Sequence, residues 1–203
     1  GLVWVPEPGI RLSAEQGGAG EYRVVSSEVV PIRDHDWRLR MYYECCPGPQ
    51  SIPNSIRSAI SDDGGLVWRV ERGIRFSDSK RNFNAPRIVY LDDGRCRLYC
   101  CEMGGGIISA VSNDGLIFRK EPGFRIAKDT GYDRHVAFAP EIVRIPDGSY
   151  VMYYAGYASA QETHILKATS MDGLCWNKDP QPIISPGGST WDAAKCSEMS
   201  VYQ

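Results

Sequence analysis

Four short phrases in this 203-residue chain put ionisable residues at matching places: Ser-Ser-Glu28, Ala-Pro-Arg87, Ala-Pro-Glu141 and Ser-Glu198-Met199. In the last, Met199 takes the matching position and the carboxylate of Glu198 comes one residue early. If the phrases open equivalent strands, three carboxylates and one guanidinium converge. Crowded carboxylates push one another's pKa upward, so one stays protonated near neutral pH while another is ionised. Cleavage of a glycosidic bond uses such a pair: one carboxyl protonates the leaving oxygen, and the other activates water or attacks carbon. Glu28, Glu141 and Glu198 are therefore the candidate catalytic residues. The competing reading makes Glu28, Arg87 and Glu141 a buried ion-pair network with no chemistry.

The segments leading into these phrases are polar and aromatic. Residues 80–84 (KRNFN) offer Asn82 and Asn84, residues 131–138 (GYDRHVAF) offer Asp133, Arg134 and His135, and residues 187–195 (GGSTWDAAK) offer Trp191 and Asp192. Aromatic faces cover sugar rings, and amides, carboxylates and imidazoles bond hydroxyls, so Arg87, Asn84, Asp133, His135 and Trp191 are the expected substrate contacts. His135 read alone is an ordinary loop histidine. Neither His35 nor His164 has metal-ligand spacing, and no metal or other cofactor is expected.

The elements that must position these residues are repeated. The phrase Ser-x-Asp-Gly followed by an aromatic occurs at 61–68, 112–118 and 170–176, and residues 1–4 (GLVW) read as its tail. Its glycines, Gly1, Gly65, Gly115 and Gly173, are 64, 50 and 58 residues apart. A second repeat runs in step: residues 84–103 (NAPRIVYLDDGRCRLYCCEM) match 138–157 (FAPEIVRIPDGSYVMYYAGY), and 26–45 follow the same pattern with a longer turn. Pro146-Asp147-Gly148 between two β-branched and aromatic runs is a hairpin signal. Third strands follow as SIRSAIS, GIISAVS and HILKATS, and the Ser-x-Asp-Gly turn leads to a fourth in LVWRV, LIFRK and LCWNK. Ser and Asp cap that turn and Gly supplies the positive φ, so the motif reads as structural and lies on the outer rim.

Four antiparallel strands per repeat with no helix predict an all-β protein, a β-propeller of four-stranded blades. The expected blades are 21–77, 78–127 and 132–185, all in a single propeller domain or part of one. Residues 1–13 are expected to supply an outer strand of a preceding blade, and 192–203 an inner strand of a following one. A propeller closes its ring so that no edge is exposed. The count therefore predicts a portion of a longer protein, five-bladed when complete.

Composition narrows the partners. A net charge of −2 without a basic stripe argues against nucleic acid, and no apolar run is long enough to cross a membrane as a helix. Residues 1–9 lack the basic head and apolar core of a signal peptide. Seven cysteines, with adjacent pairs at Cys45-Cys46 and Cys100-Cys101 and no C-x-x-C, make a poor disulfide or zinc framework. They read as buried thiols, which favours an intracellular or plastid protein over a secreted one.

Together, the Ser-x-Asp-Gly-x-x-Trp/Phe turns and the APEIVRIPDGSYVMYY type of hairpin resemble the five-bladed propeller glycosidases: arabinanases, xylosidases, invertases, inulinases and levansucrases. The resemblance spans essentially the whole chain. It implies hydrolysis or transfer at a glycosidic bond of an oligo- or polysaccharide. Glu141 stands where that superfamily places a pKa-tuning acid and Glu198 where it places the general acid. Arg87 occupies a slot where a carboxylate is expected, and the superfamily's first Asp has no counterpart. Those departures support an alternative, a non-catalytic propeller that binds a glycan or protein partner. Sialidases are a third possibility, since Ser61, Asp63, Gly65 and Trp68 fit their Asp-box, but their arginine triad and Tyr/Glu pair cannot be assembled here.

Overall fold

The computed structural model describes residues 3, 5–33, 35–188, 193 and 195–201. Among them all regular structure is β, in three antiparallel sheets, with no helix. The first sheet comprises β1 (Arg23–Ile32), β2 (His35–Cys46), β3 (Ser55–Ser61), β4 (Arg69–Val70) and β5 (Phe76–Ser77). The second comprises β6 (Phe83–Tyr90), β7 (Cys96–Glu102), β8 (Gly106–Ser112), β9 (Arg119–Lys120) and β10 (Ile126–Ala127). The third comprises β11 (Val136–Arg144), β12 (Tyr150–Tyr157), β13 (Thr163–Ser170) and β14 (Asn177–Lys178). Each sheet runs in chain order, and the outer position in the first two is filled by a broken strand, β4 with β5 and β9 with β10.

The turns explain this meander. At Ile145–Ser149 the Gly148 amide donates to Ile145 O at 2.9 Å with φ +90°, and Asp147 Oδ1 accepts the Ser149 amide at 2.8 Å. Leu91–Arg95 repeats the device through Gly94 and Asp93. At the next corner Ser112 Oγ accepts the Gly115 amide at 2.9 Å, while Asp114 Oδ1 accepts those of Leu116 and Ile117 at 2.8 and 3.1 Å. Those amides hold the Asp114 carboxyl below its usual range. They are also spent on the turn, so the fourth strand pairs only from Arg69 or Arg119 onward, and its last bonds are those of the Glu71 and Glu121 amides to Ser58 O and Ser109 O, both 2.9 Å.

The sheets lock together through that same turn. Tyr42 Oη, from β2, donates to Gly115 O in the second sheet at 2.9 Å, and Tyr99 Oη, from β7, donates to Gly173 O in the third at 2.8 Å. Each tyrosine also meets the aromatic of the turn edge-on, Phe118 at 5.9 Å and Trp176 at 6.1 Å between centroids. Beside each tyrosine an arginine is clamped: Arg40 by Glu71, and Arg97 by Glu121 at 2.9 and 3.1 Å. Ile56, Leu98, Cys100 and Ile108 fill the space between the first two sheets, and Ile107, Met152 and Leu166 the space between the second and third. Each large apolar side chain so buried contributes about 1.5–3 kcal/mol.

Cys45, Cys46, Cys96, Cys100 and Cys101 are buried free thiols, and Cys175 is exposed. Burial pushes Cys101 up to about 12, which leaves it inert as a nucleophile. The outer strand expected over 1–13 is not seen in its described residues: Pro6 and Pro8 lack ladder donors, and Val5 and Ile10 stand exposed. Leu12 and Ala14 instead pack under Met41 and Tyr43 on the open face of the first sheet. Of 192–203, only Lys195 makes a bridge, to Thr163, among the described residues.

Candidate functional site

The first strands of the sheets, β1, β6 and β11, lie beside one another, and each breaks its ladder at the same place. Register is lost between Val25 and Glu28, between Asn84 and Arg87, and between Phe138 and Glu141. The bulged residues Ser26, Ala85 and Ala139 have φ of +50°, +52° and +46°, a conformation unfavourable for any residue with a Cβ. Such strain costs on the order of 1–3 kcal/mol per residue and collects where a strand must re-aim side chains. The first residue back in register after each bulge is Glu28, Arg87 and Glu141, opposite Tyr42, Tyr99 and Tyr153.

The structure brings these three together. Arg87 Nε donates to Glu141 Oε2 at 2.7 Å and lies 3.7 Å from Glu28 Oε2, while Nη1 donates to Pro86 O at 2.9 Å. All three side chains are less than a quarter exposed. Burial pushes the Glu28 carboxyl up to about 7; the Arg87 charge opposes that rise and the Glu141 charge adds to it. One acid of the cluster is thus poised near neutrality while its neighbour takes the guanidinium's shortest bond.

A fourth acid, Glu44 on β2, was not singled out from the sequence. It is 2% exposed and accepts the Ala85 amide at 2.6 Å and Asn84 Nδ2 at 2.7 Å. Burial raises its pKa, against the pull of those bonds and of Ser26. Glu44 therefore pins the bulge of β6 next to that of β1. Its signal was a lone carboxylate inside the apolar run Met41–Cys46.

The remaining candidates are placed apart from the cluster. Asp133 is buried, taking Lys178 Nζ at 2.7 Å, Tyr154 Oη at 3.2 Å and the Asp129 amide at 3.3 Å, so its partners are protein groups. His135 is exposed, its amide donating to Tyr157 O at 2.9 Å. Glu198 is also exposed, and no hydrogen bond or ion pair joins it to Arg87 among the described residues. Its φ of +58° is close to those of Ser26, Ala85 and Ala139, but it lies in no strand. Trp191 and Asp192 lie outside the described residues. No cluster of three or more metal-ligating side chains occurs among the described residues.

No family model and no curated protein matches the sequence. Solved structures do. A thermostable family-43 glycoside hydrolase superposes with a TM-score of 0.70 at 20% identity, over 88% of this chain and 62% of that one. The fold is a β-propeller. An N-acetylgalactosamine deacetylase from F. plautii, in complex with blood group B trisaccharide, gives 0.70 at 17% identity over 87% of this chain and 57% of that one. The endo-arabinase of Bacteroides thetaiotaomicron gives 0.64 at 15% identity over 79% and 62%. The chain spans less than two thirds of the length of each. The three sheets correspond to blades of that fold, and the Glu28–Arg87–Glu141 cluster joins the first strands of all three.

Proposed function

We propose that this is a carbohydrate-active propeller that cleaves or transfers a glycosidic bond, with Glu28 as the general acid and Glu141 as the partner carboxylate. One observation carries the reading: two carboxylates on the first strands of the first and third sheets share Arg87 between them, and their surroundings differ enough to hold Glu28 near pH 7. Splitting two acids in this way is how one pair serves as proton donor and base. Glu198 is assigned no step.

Aryl-arabinoside, xyloside, fructoside and sialoside substrates test it. Glu28→Gln and Glu141→Gln are each expected to lower kcat by about 10²–10⁴-fold on the substrate that is cleaved. Wild-type turnover is expected to fall as pH rises through about 7, because Glu28 must keep its proton to act as acid. Unchanged turnover in either variant removes that residue from the mechanism.

The position of Arg87 favours a second reading, a non-catalytic glycan-binding propeller, because its 2.7 Å bond occupies Glu141. Glycan binding without turnover of any of the four substrate classes selects it.

A further inference from the structure

Beside the inner strands a cavity of about 180 Å³ opens between the first two blades, lined among others by Arg23, Gln50, Asn82, Asn84, Met103 and Phe138. We infer that it is a binding subsite for a single acidic sugar residue, a uronic acid whose carboxylate pairs with Arg23; this rests on the carbohydrate reading above. Arg23 is the only charged side chain on the wall. It is exposed, and among the described residues no hydrogen bond or close ion pair holds it; its charge reaches Glu44 only across space. A free guanidinium in a fork geometry takes a planar carboxylate through two parallel bonds.

The rest of the wall suits the body of a sugar. Phe138 and Met103 supply an apolar surface for the C–H face of a pyranose. Asn84 turns Nδ2 to Glu44, which leaves its Oδ1 enclosed and without a donor. The amide is thereby fixed on the wall. The frame is already rigid: Asn54 and Phe83 exchange two bonds of 2.8 Å, and Asn82 bonds Asn54 N and Gln50 O at 2.8 and 2.9 Å. Asn84 and Phe138 each stand three residues before Arg87 and Glu141, across the bulge and so closer than the roughly 10 Å of an extended strand, within reach of an adjoining unit of an oligosaccharide.

Titration of the ¹⁵N-labelled chain with methyl β-D-glucuronide and methyl β-D-glucoside tests the inference. The glucuronide is expected to shift the amides of Gly48, Asn84 and Met103 and to bind about tenfold or more tighter than the glucoside, the worth of a charge-assisted pair. Arg23→Met, at an exposed position, is expected to abolish that preference while leaving the remaining amide spectrum unchanged, and Arg23→Lys to keep part of it. Equal affinity for the two glycosides, no shifts at these amides, or a preference that survives in Arg23→Met overturns the subsite. The two proposals fail separately. Cleavage of an aryl glycoside without glucuronide shifts sinks only the subsite, whereas glucuronide binding without any cleavage sinks only the hydrolytic reading.

Discussion

Arg87→Met is expected to destabilise the protein by about 3–5 kcal/mol at pH 8, the cost of leaving buried carboxylates without their counter-charge. At pH 5 the loss should be far smaller. Arg87 is the guanidinium within 4 Å of both Glu28 and Glu141, and it lowers a Glu28 pKa that burial has already raised to about 7. Removing it lets that pKa climb further. A carboxyl whose folded pKa exceeds its unfolded value binds more protons in the native state, so stability falls as pH rises through the interval between the two. For Glu28 that interval starts near 4.5 and extends past 7 once Arg87 is gone. Urea unfolding of both proteins at pH 5 and pH 8 measures the difference, and Glu28→Gln in the Arg87→Met background should recover part of it. An equal loss at both pH values would mean that the guanidinium contributes packing and its own hydrogen bonds rather than charge balance.

The elements that hold this cluster could be read from the chain because each is written in residues with strong local preferences. Pro146-Asp147-Gly148 and Leu91-Asp92-Asp93-Gly94 signal tight turns through glycines that must take positive φ, and the β-branched runs on either side have few alternatives to strands. Repetition then supplied the blade, since a phrase that recurs with the same neighbours is one supersecondary unit. The bulges were not legible. Ser26, Ala85 and Ala139 adopt positive φ with no glycine to announce it, because Glu44 and the neighbouring strands impose the conformation from outside the local sequence. Asp133 shows a related limit. A polar residue in a loop reads as accessible, and only the fold reveals that Lys178 and Tyr154 already occupy it.

Gly173→Ala should be the most damaging change in the recurring turn, costing about 2–4 kcal/mol from backbone strain and overpacking together. Gly173 has φ +70°, and a Cβ there would fall 2.6 Å from Tyr99 Oη and 2.7 Å from Arg97 Nη1. Neither group can yield cheaply. Tyr99 is fully buried with its hydroxyl on Gly173 O, and Arg97 is held by Asp172 O and by both oxygens of Glu121. Gly115 meets Tyr42 and Arg40 in the same way, at 2.6 and 2.8 Å. At Gly65 the nearest atoms are ordinary contacts with Trp68 and Leu39 at 3.5 and 3.7 Å, so an alanine there is strained by its backbone alone. Coupling separates the two causes. Tyr99→Phe removes the atom that the new Cβ strikes, so the double variant Gly173→Ala, Tyr99→Phe should be less destabilised than the sum of the singles by about 1 kcal/mol. Additive losses would show that the clash with Tyr99 Oη carries none of the cost, leaving the backbone and Arg97. Sub-additive losses would make the turn a socket, where one blade's tyrosine reads the missing side chain of the next.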